Sequence, residues 1–170
     1  KLRILNALRN PSVGFILTSA QFDNLGATGV VARLVLLQRP ALAAKIAEYF
    51  DLPKNVVMYA KSAKAIAFVA QAKNLPDAET AERAIQIMND EEASRGGYAT
   101  VAMAASKIGR SGVANLLLMM ESSVADKVPA LVSTGSYSDA IAVATTARYV
   151  WRLSSGVLTS KGIRILSFPL

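Results

Sequence analysis

The fold is decided by the stretch Arg33-Leu-Val-Leu-Leu-Gln-Arg-Pro-Ala-Leu-Ala-Ala-Lys-Ile-Ala-Glu-Tyr-Phe-Asp-Leu-Pro53. It predicts two short apolar helices that are separated by a break at Gln38 and Arg39. Pro40 suits the first turn of the second helix, because a proline there loses no hydrogen bond. The small alanines allow two helices to pack closely, and no side chain typical of catalysis interrupts them. This pattern is typical of a stacked helical repeat, and it directs the question of function toward partners.

The composition of the whole chain also favours helices. Of its 170 residues, 52% are hydrophobic but only 6% are aromatic, and alanine, the best helix former, is abundant. The longest apolar runs, such as Leu116–Met120, are far shorter than the roughly 20 residues of a membrane span. The chain begins at Lys1 without a signal-like apolar segment, so we interpret it as a piece of a longer protein.

The chain contains no cysteine and no histidine. Disulfides, thiol catalysis, Ser-His-Asp triads and histidine-containing metal sites therefore cannot be built from this chain alone. No Gly-x-x-x-x-Gly-Lys-Ser/Thr phosphate-binding motif is present. The carboxylates of Asp90, Glu91 and Glu92 are adjacent and do not converge on one point. We predict that the chain is not an enzyme and binds no cofactor or metal.

The net charge of +7 suggests an acidic partner, such as an anionic membrane or a nucleic acid. The positive charges are dispersed, however, and no basic run is interleaved with aromatic residues. Solvated helix faces account for most of this charge. A basic helical module that binds anionic membrane or nucleic acid is therefore the alternative function, and the preferred interpretation involves no nucleic acid.

Proline and glycine divide the chain into short helical segments. The longest predicted helix covers residues 54–73, with its lysines outside and an inward stripe of Val57, Ala60, Ala63 or Lys64, Ala67 and Ala70. A loop is expected at Asp90–Gly97. We predict an N-terminal part of a helical array over residues 1–97 and C-terminal helical hairpins with a partner-binding surface over residues 98–170. No strand is predicted before residue 150, although Val150–Leu153 has some β-like bias.

A weak internal repeat aligns the segments around Gly109 and Gly135. In each segment a glycine ends one helix, a serine is placed to cap the next, and an alanine follows five residues after the glycine. A hairpin of this kind cannot bury its apolar face alone, so neighbouring hairpins must stack. The predicted fold is all-α, an α-solenoid of stacked antiparallel helical hairpins. Two unrelated hairpins in a compact α-domain are the alternative.

Several segments resemble one known family. They are Ile4–Arg9, then Ala32–Leu36, and then Pro40-x-Leu-Ala43, Ile46-x-Glu-Tyr49, Leu52-Pro53, Ala114-x-x-Leu-Leu118 and Lys127-Val-Pro-Ala-Leu131. This series is similar to the C-terminal region of the Vps-sixteen family, a vacuolar protein sorting subunit of the HOPS and CORVET tethering complexes. The resemblance covers about residues 1–147, and the sequence departs from the family pattern from Arg148 onward.

The resemblance implies a function without turnover. In this family an α-solenoid follows a β-propeller, and its C-terminal part docks the Sec/Munc-type (SM) subunit of the complex, which templates SNARE assembly. By this likeness the chain is a scaffold in a hetero-oligomer. Its partners would be the SM subunit, other HOPS and CORVET subunits and, indirectly, SNAREs. Its place would be peripheral, at the cytoplasmic face of the late endosome, lysosome or vacuole membrane.

The resemblance and the aromatic residues together place the partner surface in the last third of the chain. Tyrosine and tryptophan are favoured at interfaces, and Tyr98, Tyr137, Tyr149 and Trp151 all lie there. Taken singly, each of them is at least as compatible with a core position, and so is Leu117. The predicted interface residues are Tyr98, Arg110, Val113, Leu117, Tyr137, Asp139, Arg148 and Tyr149.

Overall fold

The computed structural model describes residues 1–88 and 97–154, with side chains described through residue 147. Every regular element in these ranges is an α-helix, which confirms the all-α fold class. The helices are α1 (Leu2–Leu8), α2 (Ser19–Leu36), α3 (Pro40–Tyr49), α4 (Lys54–Gln71), α5 (Asp77–Met88), α6 (Tyr98–Lys107), α7 (Ser111–Met120), α8 (Val124–Ser133) and α9 (Tyr137–Ser154).

Local sequence signals set several of the helix ends. Thr18 caps α2 in a reciprocal capping box with Gln21: the Gln21 N–H donates to Thr18 Oγ1 at 3.2 Å, and the Thr18 N–H donates to Gln21 Oε1 at 2.9 Å. Pro40 occupies the first turn of α3, as predicted. Gly26 interrupts α2: its φ of 71° and ψ of 161° are not helical, so two helical stretches meet at a kink within Ser19–Leu36.

One type of turn joins four pairs of consecutive helices in the described residues. Each turn holds a residue with positive φ, and these are Gln38, Asp51, Gly109 and Gly135. The N–H of the next residue then donates to a carbonyl five residues earlier, as from Arg110 to Ala105 at 2.9 Å. This is the bond pattern of a Schellman motif, which satisfies carbonyls at a helix end. The turn that the sequence showed twice thus recurs along the chain.

The alanines of the predicted repeat are core residues. Ala114 and Ala140 lie five residues after their turn glycines, and both are buried. Their small side chains let the second helix of each hairpin approach the first. The predicted serine cap is wrong for α7, because Arg110 occupies the N-cap position and Ser111 is already the first helical residue.

The buried residues form two clusters that share α4. The first joins α1, α2, α3 and the start of α4, and it ends at Ala60. The second begins at Ala65 and includes residues of α4 to α9. Each helix packs mainly on its neighbours in the chain, for example α2 on α3, α3 on α4 and α6 on α7. Such packing is what stacked hairpins require, and the continuous solenoid stays a prediction.

The buried face of α4 differs from the predicted stripe. Ala60 is buried as predicted, but Val57, Ala67 and Ala70 are only partly covered, and the other buried positions are Lys61, Ser62, Ala65 and Val69. The prediction that the lysines lie outside is wrong for Lys61, which is 6% exposed. The physical reason is that α4 packs on α3, α5 and α6, so more than one of its faces is covered.

One expectation falls mostly outside the described residues. The loop expected at Asp90–Gly97 does so except for Gly97, and the division at residue 97 therefore stays a prediction. The two buried clusters divide elsewhere, within α4. The β-like bias of Val150–Leu153 is not realised, because these residues belong to α9.

Candidate functional site

Three of the predicted interface residues lie in the core. Val113 and Leu117 have no exposed surface, and Tyr98 is 4% exposed. Val113 and Leu117 are four residues apart on α7 and therefore share one face, which packs against α6 and α5. A partner cannot reach these side chains in the folded chain, so their assignment to the interface is wrong.

Tyr98 instead belongs to a buried polar contact at the start of α6. Glu121, which follows α7, is 3% exposed and accepts a hydrogen bond from the Ala99 N–H at 3.0 Å. It also accepts one from the Ser123 N–H at 3.0 Å. A carboxylate at a helix N-terminus is favourable, because N–H groups there lack partners within the helix. Burial, followed by the nearby charge of Glu121, raises the pKa of the Tyr98 hydroxyl.

Arg110 has a structural role in this fold. Its guanidinium donates to the carbonyls of Ala72 and Leu75 at 2.8 and 2.7 Å, and to Asp77 Oδ1 at 2.6 and 3.1 Å. Its side chain is only 14% exposed. These bonds fasten the turn between α6 and α7 to the loop between α4 and α5. The predicted role of Arg110 as a partner contact is therefore not supported by its geometry.

Gly112 makes room for the same contact. A Cβ atom at this position would collide with the carboxylate of Asp77, which the Arg110 guanidinium holds in place. Asp77 is also in the first turn of α5, where a negative charge is favourable. The sequence Gly109-Arg-Ser-Gly112 is thus explained by packing between hairpins.

The remaining predicted residues lie on the last hairpin. Tyr137 is 63% exposed at the start of α9, and Asp139 is also exposed. Arg148 and Tyr149 are within α9, and their side chains lie outside the described residues. Tyr137 and Asp139 therefore stay candidates for a partner contact.

A groove of about 330 Å³ lies between α7, α8 and α9, and we call it the α7–α9 groove. Its lining is mostly apolar and includes two polar side chains of opposite charge, Lys127 and Asp139. It is open because α8 and α9 pack on each other, and α8 lies mainly against α6 rather than α7. The residues that line it are Asn115, Leu118, Met119, Lys127, Leu131, Asp139, Ala142 and Val143.

Several apolar side chains of the three helices are exposed, and one of them, Met119, lines the groove. Met119 is 74% exposed, Ile141 is 66% exposed and Met120 is 51% exposed. Further exposed apolar residues of the three helices are Leu116, Val124, Val132 and Tyr137. Exposed apolar side chains beside an apolar groove favour a contact with another molecule. Methionine is common on such surfaces, because its flexible side chain adapts to the partner.

The sequence reasoning missed these residues, although a signal was present. Leu116-Leu-Leu-Met-Met120 is apolar at five consecutive positions, which is a full turn of α7 and more. One face of a helix against a core needs only part of a turn to be apolar. Such a run predicts that some of these side chains face away from the core, as Met119 and Met120 do.

Two further kinds of site are absent from the described ranges, 1–88 and 97–154. No group of three or more Asp or Glu side chains there is placed to hold a metal ion. Within the same ranges, no helix is both long and apolar enough to span a membrane.

The chain is similar to three proteins of known name. It is 33% identical over 147 residues to Protein VACUOLELESS1 of Arabidopsis thaliana, which is 85% of this chain and 16% of that protein. The vacuolar protein sorting-associated protein 16 homolog of Dictyostelium discoideum is 30% identical over 134 residues, 79% of this chain. The homolog of the same name in Drosophila melanogaster is 26% identical over 144 residues, 85% of this chain. No model of a known protein family matches.

The chain is related to the Vps-sixteen family. This relationship confirms the resemblance read from the residues between Ile4 and Leu131. The chain spans only 15% to 17% of the length of these relatives. What it shares with these relatives is therefore one segment of 134 to 147 residues.

Proposed function

We propose that this chain is part of a scaffold subunit of an endosomal or vacuolar membrane-tethering complex, and that its α7–α9 groove docks the SM subunit. The relationship to vacuolar protein sorting proteins supports the first part. The observation that carries the second is the open apolar groove between α7 and the last hairpin. The SM subunit would be held there for SNARE-mediated fusion.

The groove has the features of a docking surface between proteins. Its lining combines the apolar Leu118, Leu131 and Val143 with the charged Lys127 and Asp139. An apolar centre with a polar rim is typical of protein interfaces, since burial provides affinity and the polar groups provide orientation. The exposed Met119 would add adaptable apolar area. The interface proposed here therefore keeps Asp139 and Tyr137 and replaces the buried residues by Met119 and Ile141.

The rest of the assignment follows the same scaffold role. Other HOPS and CORVET subunits are proposed as further partners, SNAREs as indirect ones, and the complex as the means of peripheral attachment to the membrane. The chain would work by positioning its partner rather than by catalysis. Its location would be the cytoplasmic face of the late endosome, lysosome or vacuole.

The test is co-elution of the full chain with the SM subunit in size-exclusion chromatography after co-expression. The variant pair Met119→Asp and Ile141→Asp places one charge on a side chain that lines the groove and one on an exposed side chain of α9; the two side chains are 74% and 66% exposed. We expect affinity for the SM subunit to fall at least about tenfold, since two carboxylates would have to be buried in an apolar contact. Helical circular dichroism should remain unchanged.

A matched control carries the same chemical change elsewhere. Leu2 and Ile16 are 76% and 74% exposed and lie in the N-terminal part, so Leu2→Asp with Ile16→Asp should leave co-elution intact. If the groove variant still co-elutes like the unchanged chain, the SM subunit docks elsewhere. If both variants lose co-elution, the effect comes from surface charge and the groove has no special role.

A further inference from the structure

A second depression lies between α3, α4 and α5, and we call it the basic cleft. Its volume is about 550 Å³. Four of the side chains that line it are cationic, while three others form an apolar floor. The lining residues are Ala44, Lys45, Glu48, Lys61, Lys64, Phe68, Arg83, Gln86 and Ile87.

The cleft carries an excess of positive charge. Among the residues that the structure describes, Glu48 is the one carboxylate that lines it, against Lys45, Lys61, Lys64 and Arg83. Lys61 lies at the base and is 6% exposed, and its Nζ is 3.2 Å from Glu48 Oε1. Because that ammonium is largely removed from water, it attracts a carboxylate more strongly than a surface lysine does.

The cations of the cleft differ in the ion pairs that they form. Arg83 pairs with Glu79 at 2.6 Å, one turn earlier on α5. Within the described part of the chain, no ion pair engages Lys45 or Lys64. Lys45 is exposed on α3 and Lys64 is half-buried on α4, so the two cations stand on different helices that line the cleft.

We propose that the basic cleft binds an acidic peptide segment of a partner protein. Glu48 already shows the type of contact, because its carboxylate pairs with the buried Lys61 while remaining half exposed. Carboxylates of an incoming segment would pair with Lys45 and Lys64 in the same way. The apolar floor of Ala44, Phe68 and Ile87 offers a place for an apolar side chain between acidic ones. This second interface does not depend on the groove.

The local structure favours a peptide over a phosphate group or a nucleic acid. Helix N-termini create phosphate sites, but α5 lines the cleft with Arg83, Gln86 and Ile87, toward its C-terminal end. Among the described lining residues, Phe68 is the one aromatic side chain, whereas single-stranded nucleic acids usually stack on several.

The experiment measures fluorescence anisotropy of a labelled oligoglutamate peptide with the full chain at low ionic strength. The test variant is Lys45→Glu with Lys64→Glu. The control is Lys73→Glu with Lys107→Glu, which makes the same change of charge at two exposed lysines outside the cleft. We expect the test variant to bind about tenfold more weakly and the control within about twofold of the unchanged chain, since a lost close pair outweighs a distant charge.

Two further probes separate the sources of negative charge. Vesicles with and without anionic lipid, and a single-stranded oligonucleotide, are offered to the same three proteins. The proposal is overturned if the unchanged chain does not bind oligoglutamate, or if the two variants lose binding equally. It is also overturned if anionic vesicles or the oligonucleotide bind more tightly than the peptide and depend on the same lysines. Normal co-elution of the Lys45→Glu, Lys64→Glu variant with the SM subunit keeps this result separate from the groove.

Discussion

The basic cleft and the α7–α9 groove are built on the same scaffold but present opposite chemistry. Both lie between neighbouring helices, and both adjoin the same buried cluster, which Phe68 and Ile87 of the cleft pack against and to which Leu118 and Leu131 of the groove belong. The cleft is lined by four cations above a small apolar floor. The groove is lined mainly by apolar side chains, among them the exposed Met119. The helical frame therefore does not determine the partner, and the side chains at its open positions do.

The largest expected effect separates the groove from the core beneath it. Leu117 and Met119 are two residues apart on α7, but Leu117 has no exposed surface and Met119 is 74% exposed. Leu117→Asp should destabilise the chain by more than about 4 kcal/mol, because it leaves a cavity and an unpaired buried charge. Met119→Asp should change the free energy of unfolding by less than about 0.5 kcal/mol. Thermal unfolding followed by circular dichroism measures both.

Two results would contradict this prediction. If Leu117→Asp folds with unchanged stability, the position is on the surface and the description of α7 is wrong. If Met119→Asp unfolds the chain, the groove is part of the core rather than a docking surface.

A smaller effect is expected where the turn between α6 and α7 is bonded to the loop between α4 and α5. Arg110→Ala removes the bonds to Ala72, Leu75 and Asp77, and should cost about 2 kcal/mol of stability. The control, Arg83→Ala, removes an exposed pair with Glu79 and should cost at most about 0.5 kcal/mol. Urea unfolding of both variants measures the difference. Equal losses would show that the Arg110 contacts do not join the hairpins.

Local signals in the sequence were enough for most of the frame. Some signals act within a few residues, so their effect can be predicted from the sequence. They are the capping box at Thr18, the break before Pro40 and the turn glycines Gly109 and Gly135. The all-α class follows from these signals and from the alanine content. The likeness to the Vps-sixteen family could be recognised for the same reason, since it lies in short runs of residues.

The surfaces were harder to predict, because they depend on contacts between distant residues. Lys61 is buried because α4 packs among other helices and Glu48 on α3 supplies its counter-charge. Tyr98 is buried beside Glu121, which is 23 residues further along the chain. In α4 five alanines and three lysines fill 8 of the 18 positions, so the periodic contrast that identifies a buried face is weak. Aromatic residue type alone was therefore a poor guide to exposure.

The most direct test of the account offers both ligands to both surface variants. Binding of the SM subunit and of oligoglutamate is measured by calorimetry for Met119→Asp with Ile141→Asp and for Lys45→Glu with Lys64→Glu. The account predicts that the first variant loses the SM subunit and keeps the peptide, while the second loses the peptide and keeps the SM subunit. Retention of the SM subunit by the groove variant would contradict the central claim, and so would loss of both ligands in one variant that remains folded.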